Sequence, residues 1–295
     1  TIMHMAMTRS RRTMARRAYT AMGRTTMGRT AMVRMAMVRR MTDPRALVRL
    51  LQLASPALPV GAFSYSQGLE AGIEAGLVRD AATLQVWLDT ALQCGLAGME
   101  LPLLQRLHAC WSAALDREPN SARNTFDQDC IARAQHWNDS LLCTRESAEL
   151  RAEALQMGYS LGELLRALLQ DSAVNAMDGA EGQRHRRALH GLQSLQSPAF
   201  ATVYALAASV WGIGLRQTLT AYVWSWLENQ VMAAIKAVPL GQTDGQRVLL
   251  RMGGGLDAVI DQVLDRAEQD MTNFLPGLAI LASQHETQYS RLFRS

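Results

Sequence analysis

From Met41 onward, apolar side chains recur at helical spacing along nearly the whole of this 295-residue chain. Leu84, Trp87, Leu88, Ala91, Leu92 and Leu96 form one such stripe. Phe126, Cys130, Ala134, Trp137 and Leu141 form a second, and Leu150, Ala154, Met157, Leu161, Leu165 and Leu168 a third. A spacing of three and four residues puts these side chains on one helix face, whereas a strand would need strict alternation. No hairpin signal and no βαβ unit interrupts the pattern. Asp43 suits a helix N-cap with Pro44 at the first helical position, and Ser197 with Pro198 predicts another start. Ser64 and Gln67 predict a capping box opening the helix in "SQGLEAGIEAG". Further helices are expected at about 215–237, 244–267 and 271–290, with exposed loops at 116–125 and 175–187. With 48% hydrophobic residues the chain can bury a core. The expected fold is all-α, a single domain of about nine or ten helices in bundle-like or orthogonal packing.

Residues 1–40 stand apart. They hold ten arginines, no acid, and nine of the 16 methionines. Such a leader formally resembles an organellar transit peptide. Lacking a consistent apolar face, it reads instead as a disordered low-complexity extension, with a start codon placed too far upstream, and the domain as residues 41–295. The extension also explains the formal charge of +4. Without it, 20 basic residues face 26 acidic ones, so the body carries about −6. That balance, with no basic stripe or nucleic-acid motif, sets nucleic acid aside. The uncharged stretch 191–215 contains Pro198, two glutamines and several serines, so it reads as a buried helix rather than a membrane span. Cys94, Cys110, Cys130 and Cys143 form no C-x-x-C pair and fall within helical patterns. They read as buried thiols of a reducing cytoplasm rather than disulfides or metal ligands.

Catalytic signatures fail on context. "GYSLG" at 158–162 matches the G-x-S-x-G elbow as a string. The elbow requires a strand-to-helix turn, and here the string lies inside a continuous helical pattern. Gly158 and Gly162 are better explained as small positions that admit a neighbouring helix. The single lysine, Lys236, belongs to no phosphate-binding loop, and no Glu-x-x-His pair offers a di-iron site. Asp257, Asp261 and Asp265 share one helix face. They could hold a divalent cation in an all-α metal-dependent enzyme. A solvated acidic face beside Arg251 and Arg266 is the simpler reading. The chain reads as non-catalytic.

Three stretches call for more than packing. In "LASPALPVGAFSYSQGLEAG" (53–72), Pro56, Pro59 and Gly61 enforce an extended entry ahead of Phe63 and Tyr65. A rigid loop packed under the next helix would explain it equally well. In "KAVPLGQTDGQR" (236–247), Pro239 and Gly241 end one helix and a Thr243–Gln246 capping box starts the next. That leaves Gln242, Asp244 and Arg247 available for a polar contact. In "HETQYSRLFRS" (285–295), a helix would cluster Tyr289, Leu292 and Phe293 as anchors, with Arg291 and Arg294 setting the register. This is the composition of a helix that docks in a groove. The alternative is that it folds back onto its own core.

Taken together, "LLQLASPALPVGAFSYSQGLE" (50–70), "RESAELRAEALQMGYSLGELL" (145–165), "KAVPLGQTDGQRVLL" (236–250) and "HETQYSRLFRS" (285–295) resemble the signature segments of the urease accessory protein F (UreF) family. The likeness runs from about Leu47 to the end, and residues 1–40 depart from it. The resemblance implies an all-α homodimer that matures urease without catalysing a reaction. It implies partners in the accessory protein called D or H, the GTP-binding accessory protein G, and apo-urease, with no nucleic acid or membrane involved. No cofactor is bound directly, since nickel is handled by the complex, and modulation of GTP hydrolysis by G is also implied. No one of Arg247, Arg291 and Arg294 is singled out to act on the GTPase. The expected partner-binding residues are Tyr65, Lys236, Gln242, Asp244, Gln246, Arg247, His285, Glu286, Tyr289, Arg291, Leu292, Phe293 and Arg294. Removing 285–295 is expected to abolish D/H binding and leave the helical fold intact.

Overall fold

The structure, a computed structural model, describes residues 44–116, 128–171 and 179–295. The extension 1–40, Asp43 and most of the expected loop at 116–125 lie outside the described residues. The described residues fall into two units that part after Leu47, 44–47 and 48–295. Among the described residues every regular element is helical. Helix α1 (Pro44–Ala54) begins at the proline, as its fixed φ favours. Then come α2 (Leu69–Glu74), α3 (Ala81–Thr90), a π-helical stretch (Ala91–Glu100) and α4 (Leu101–Leu115). Helices α5 (Gln128–Cys143), α6 (Ala148–Gln170), α7 (Ala180–Ser194), α8 (Phe200–Val210) and α9 (Leu215–Ala237) follow. The order ends with α10 (Gln242–Gly254), α11 (Leu256–Asp265) and α12 (Pro276–His285).

The uncharged stretch supplies the centre. Every residue of α8 from Ala201 to Val210 is buried, against α4, α6 and α7. A helix apolar on all sides belongs in a core. No helix of the described residues is long and apolar enough to cross a membrane. The second layer forms around α9, which packs on α2, α4, α10 and α11.

Gly158 joins α6 to this core. A Cβ there would lie 2.7 Å from the Ala199 carbonyl carbon and 2.9 Å from the Phe200 nitrogen, and closer still to the Pro198 oxygen. The close approach read from "GYSLG" is therefore real at Gly158. At Gly162 the nearest atom, Leu192 Cδ1, would be an ordinary 3.6 Å away.

Helix starts were read less well. Helix α8 begins at Phe200 with Ala199 as N-cap, and Ser197 takes a positive φ in the turn before it. The cap comes from another helix. Asn138 of α5 accepts hydrogen bonds from the Ala199 N–H (2.8 Å) and the Thr202 hydroxyl (2.8 Å), and donates to the Ser197 carbonyl (3.3 Å). Asn138 is fully buried, so Asn138→Ala orphans two donors and is expected to cost about 2–3 kcal/mol in urea denaturation.

The predicted capping boxes at Ser64–Gln67 and Thr243–Gln246 do not form. Gly68 and Gly241 are the N-caps, which places Thr243 inside the first turn of α10. A capping box exists instead at Asp80–Thr83, where Asp80 accepts from the Thr83 N–H at 2.9 Å. The helix expected at 244–267 is two helices, parted at Gly255, and that expected at 271–290 shrinks to α12. Residues 180–187, expected as loop, form the first half of α7. Cys110 and Cys130 are buried as expected, but Cys94 and Cys143 are exposed, and none of the four is in a disulfide.

Candidate functional site

The last eleven residues lie in a cleft built by the 61–70 turn, the N-terminal half of α6 and the end of α9. The turn owes its shape to Gly61 (φ 77°) and Gly68 (φ 79°), the left-handed region that glycine enters without strain. At Gly68 a side chain would also strike Leu278 of α12, 2.9 Å from the missing Cβ. The turn and the tail then exchange main-chain hydrogen bonds. Arg294 N–H donates to Ser64 O (2.7 Å), while Ser66 N–H (2.7 Å) and Gln67 N–H (3.0 Å) donate to Ser295 O. The Ser66 hydroxyl donates to the same oxygen.

Carboxylates hold the other side. Glu70, buried on α2, accepts from the N–H groups of Leu292 (2.7 Å) and Phe293 (3.0 Å). His285, with no exposed surface, sits between Glu70 (3.2 Å from Nε2) and Glu149 (2.7 Å from Nδ1). Arg291 pairs with the other oxygen of Glu149 at 2.5 Å. Glu286 accepts from the Ala148 N–H (2.8 Å), a negative charge at the start of α6 where the helix dipole favours it.

Below the tail lies a buried polar relay. Trp226 Nε1–H donates to Gln67 Oε1 (2.7 Å), and Gln67 Nε2–H donates to Glu153 Oε1 (2.6 Å). The Ser295 hydroxyl donates to Glu153 Oε2 (2.9 Å). A cavity of about 80 Å³ adjoins it, lined by Gln67, Glu100, Arg145, Glu153, Tyr222 and Trp226 among others. In its wall Glu100 pairs with Arg145 (2.7 Å) and accepts from the Tyr222 hydroxyl. Burial, with Glu100 alongside, lifts the Tyr222 hydroxyl well above its ordinary pKa.

Burial pushes the Glu153 carboxyl from 4.5 up to about 7, against the lowering pull of Gln67, Ser295 and Arg145. The folded chain thus holds a proton that the unfolded chain releases. Stability from this group is fully present below pH 4.5 and is lost as pH rises to about 7, a change of roughly 3 kcal/mol. In Glu153→Gln the amide oxygen can still accept from Gln67 while its nitrogen donates to the Ser295 hydroxyl. Urea midpoints measured across this window are expected to show that pH dependence in the parent chain and not in the variant.

These contacts place the expected site residues. The segment beyond His285 is not helical, so Tyr289, Leu292 and Phe293 do not form one face. Phe293 is buried, with Lys236 Nζ 5.7 Å from its ring centroid, whereas Tyr289 is fully exposed and Leu292 largely so. His285, Glu286 and Arg291 are engaged internally. Tyr65 is buried, its hydroxyl raised by burial and hydrogen-bonded to Arg294. Lys236 connects the tail to the α9–α10 turn. Gln242, Gln246 and Arg247 are exposed on the first turns of α10, and Arg247 pairs with Asp244 at 2.7 Å. Asp261 and Asp257 face Arg216, the latter at 4.0 Å, rather than the expected Arg251 and Arg266. Among the described residues no group of three or more His, Cys, Asp or Glu could hold a metal ion.

Sequence reasoning missed Glu70, Glu149 and Glu153, the groups that hold the tail. The one available signal was the i, i+4 spacing of Glu149 and Glu153, which puts two carboxylates on one face of α6.

Comparison with known proteins decides the kinship. The family model described as UreF matches residues 78–253. The chain is 47% identical over 249 residues to the urease accessory protein UreF of Azoarcus sp. strain BH72, covering 84% of this chain and 95% of that protein. This chain belongs to the UreF family. Two further UreF proteins, from Methylobacillus flagellatus and Dechloromonas aromatica, are each 42% identical to it. Those alignments cover 86% and 84% of this chain, and 100% and 97% of the relatives. As a member of a family of urease accessory proteins, the UreF chain is an accessory factor rather than an enzyme.

Proposed function

We propose that this UreF chain matures urease as a non-catalytic scaffold. It joins the D/H accessory protein to the GTP-binding accessory protein G, so that nickel, the cargo of the complex, reaches apo-urease. The chain acts as a cytoplasmic homodimer, binds no cofactor of its own and modulates GTP hydrolysis by G. The observation that carries this reading is the state of the tail. Its backbone and Phe293 are anchored, yet Tyr289 and Leu292 project from the anchored segment with their apolar surface uncovered. Apolar and aromatic groups held in place lose little conformational freedom on binding, which is how a few residues come to dominate an interface. The exposed start of α10, with Gln242, Gln246 and Arg247, supplies a separate polar surface for the G protein.

The test is capture of the D/H protein by a double variant, Tyr289→Ala with Leu292→Ala. Both side chains are largely solvated, so folding stability should change by no more than about 0.5 kcal/mol. Affinity should fall roughly tenfold or more. Undiminished capture by the folded variant would remove the tail from the proposed contact.

A further inference from the structure

Cys110 on α4 and Cys130 on α5 meet inside the protein. Their sulfurs are 3.0 Å apart, too far for a covalent bond and too close for indifferent neighbours. The approach is reciprocal, with Cys110 Sγ 3.3 Å from Cys130 O and Cys130 Sγ 3.5 Å from Cys110 O. Each sulfur therefore reaches the other residue's backbone, which shows that the two helices pass within bridging distance. Cys94 and Cys143 lie on the surface, outside this contact.

We infer that Cys110 and Cys130 are a modification site, a dithiol that a hydroperoxide converts reversibly to a disulfide. Cys110, 7% exposed against 2% for Cys130, is the sulfur a small oxidant reaches first. As the thiolate it attacks one peroxide oxygen and the O–O bond breaks, giving a sulfenic acid and, after protonation, one water. The Cys130 sulfur then attacks the Cys110 sulfur. The S–O bond breaks, and the departing oxygen leaves as a second water with the Cys130 proton. Two thiols and one hydrogen peroxide thus give one disulfide and two waters, and a thiol reductant restores the pair. Burial of the pair restricts this chemistry to small oxidants, and the bond would staple α4 to α5 across the chain segment 111–129.

The test treats the full chain with hydrogen peroxide and measures its intact mass and its disulfide-linked peptides. The expected result is the loss of two hydrogens, a Cys110–Cys130 cross-link, and full reversal by dithiothreitol. Cys130→Ser should lose the cross-link, and a chain carrying both Cys94→Ser and Cys143→Ser should keep it. A second arm refolds the chain from urea in a glutathione redox buffer, where access is not limiting, and should give the same linkage with an unchanged helical signal. If peroxide leaves Cys110 and Cys130 as thiols, takes them to sulfinic acids, or links either to Cys94 or Cys143, the proposal is overturned. It is equally overturned if refolding forms the bond only with loss of helix.

Discussion

Replacing Glu70 with alanine is expected to cost about 3–5 kcal/mol of folding stability, the usual penalty for removing one member of a buried charged set. One carboxylate, 7% exposed, serves the main-chain donors of Leu292 and Phe293 and one nitrogen of His285. Its loss leaves the main-chain donors of Leu292 and Phe293 unmatched and His285 short of one partner at once, and the buried Phe293 N–H gains water only if the tail lifts. Phe293 would then leave its pocket beside Lys236. Urea denaturation should report the loss, and trypsin should cut at Arg291 and Arg294 in the folded variant but not in the parent chain. Glu149→Ala is the milder comparison. Its partner Arg291 is 39% exposed, so solvent replaces that half of the contact.

The second large effect is expected at Gly158. Alanine there would press its Cβ into the main chain of Pro198, Ala199 and Phe200. Those atoms cannot retreat cheaply, because Asn138 grips the same stretch of backbone through Ala199 and Ser197. Overpacking against a fixed backbone should cost about 3 kcal/mol. For a body of this size that lowers the melting temperature by roughly 6–12 °C. Gly162→Ala, one turn further along α6, meets only Leu192 Cδ1 at 3.6 Å. There the helix propensity of alanine should make the change neutral or stabilising by about 1 kcal/mol. Thermal melts of the two variants side by side separate close packing from any general intolerance of α6.

The helical fold was legible because periodicity is a local property, and α9 falls on the very bounds that its pattern suggested. The helix starts were less so. Thr243 and Ser64 have the side chains of N-caps, but whether a residue caps depends on where the backbone leaves the helix. At α10 that point is Gly241. The tail reads in sequence as a helix that docks in a partner's groove. In the structure it packs without helix on its own body, the alternative left open, and nothing in sequence marked the surface that receives it. Glu70 and His285 are 215 positions apart, and nothing in the neighbourhood of either announces the other. Only packing of α2 and α12 beside α6 makes a clamp from three ordinary glutamates. Tyr289, Leu292 and Phe293 look alike in sequence, and the fold divides them into two outward groups and one anchor. Removal of 285–295 should therefore cost the body stability as well as the tail's contacts, since it takes the Leu292 and Phe293 donors from Glu70 and the Ser295 donor from Glu153.

Size-exclusion chromatography with mass determination, on the UreF chain mixed with the D/H protein and then with G, tests the central claim most directly. The parent chain should give one peak containing all three proteins. With the folded Tyr289→Ala, Leu292→Ala variant, D/H should elute separately. Joint elution of that variant with D/H, or failure of the parent chain to join D/H at all, would contradict it.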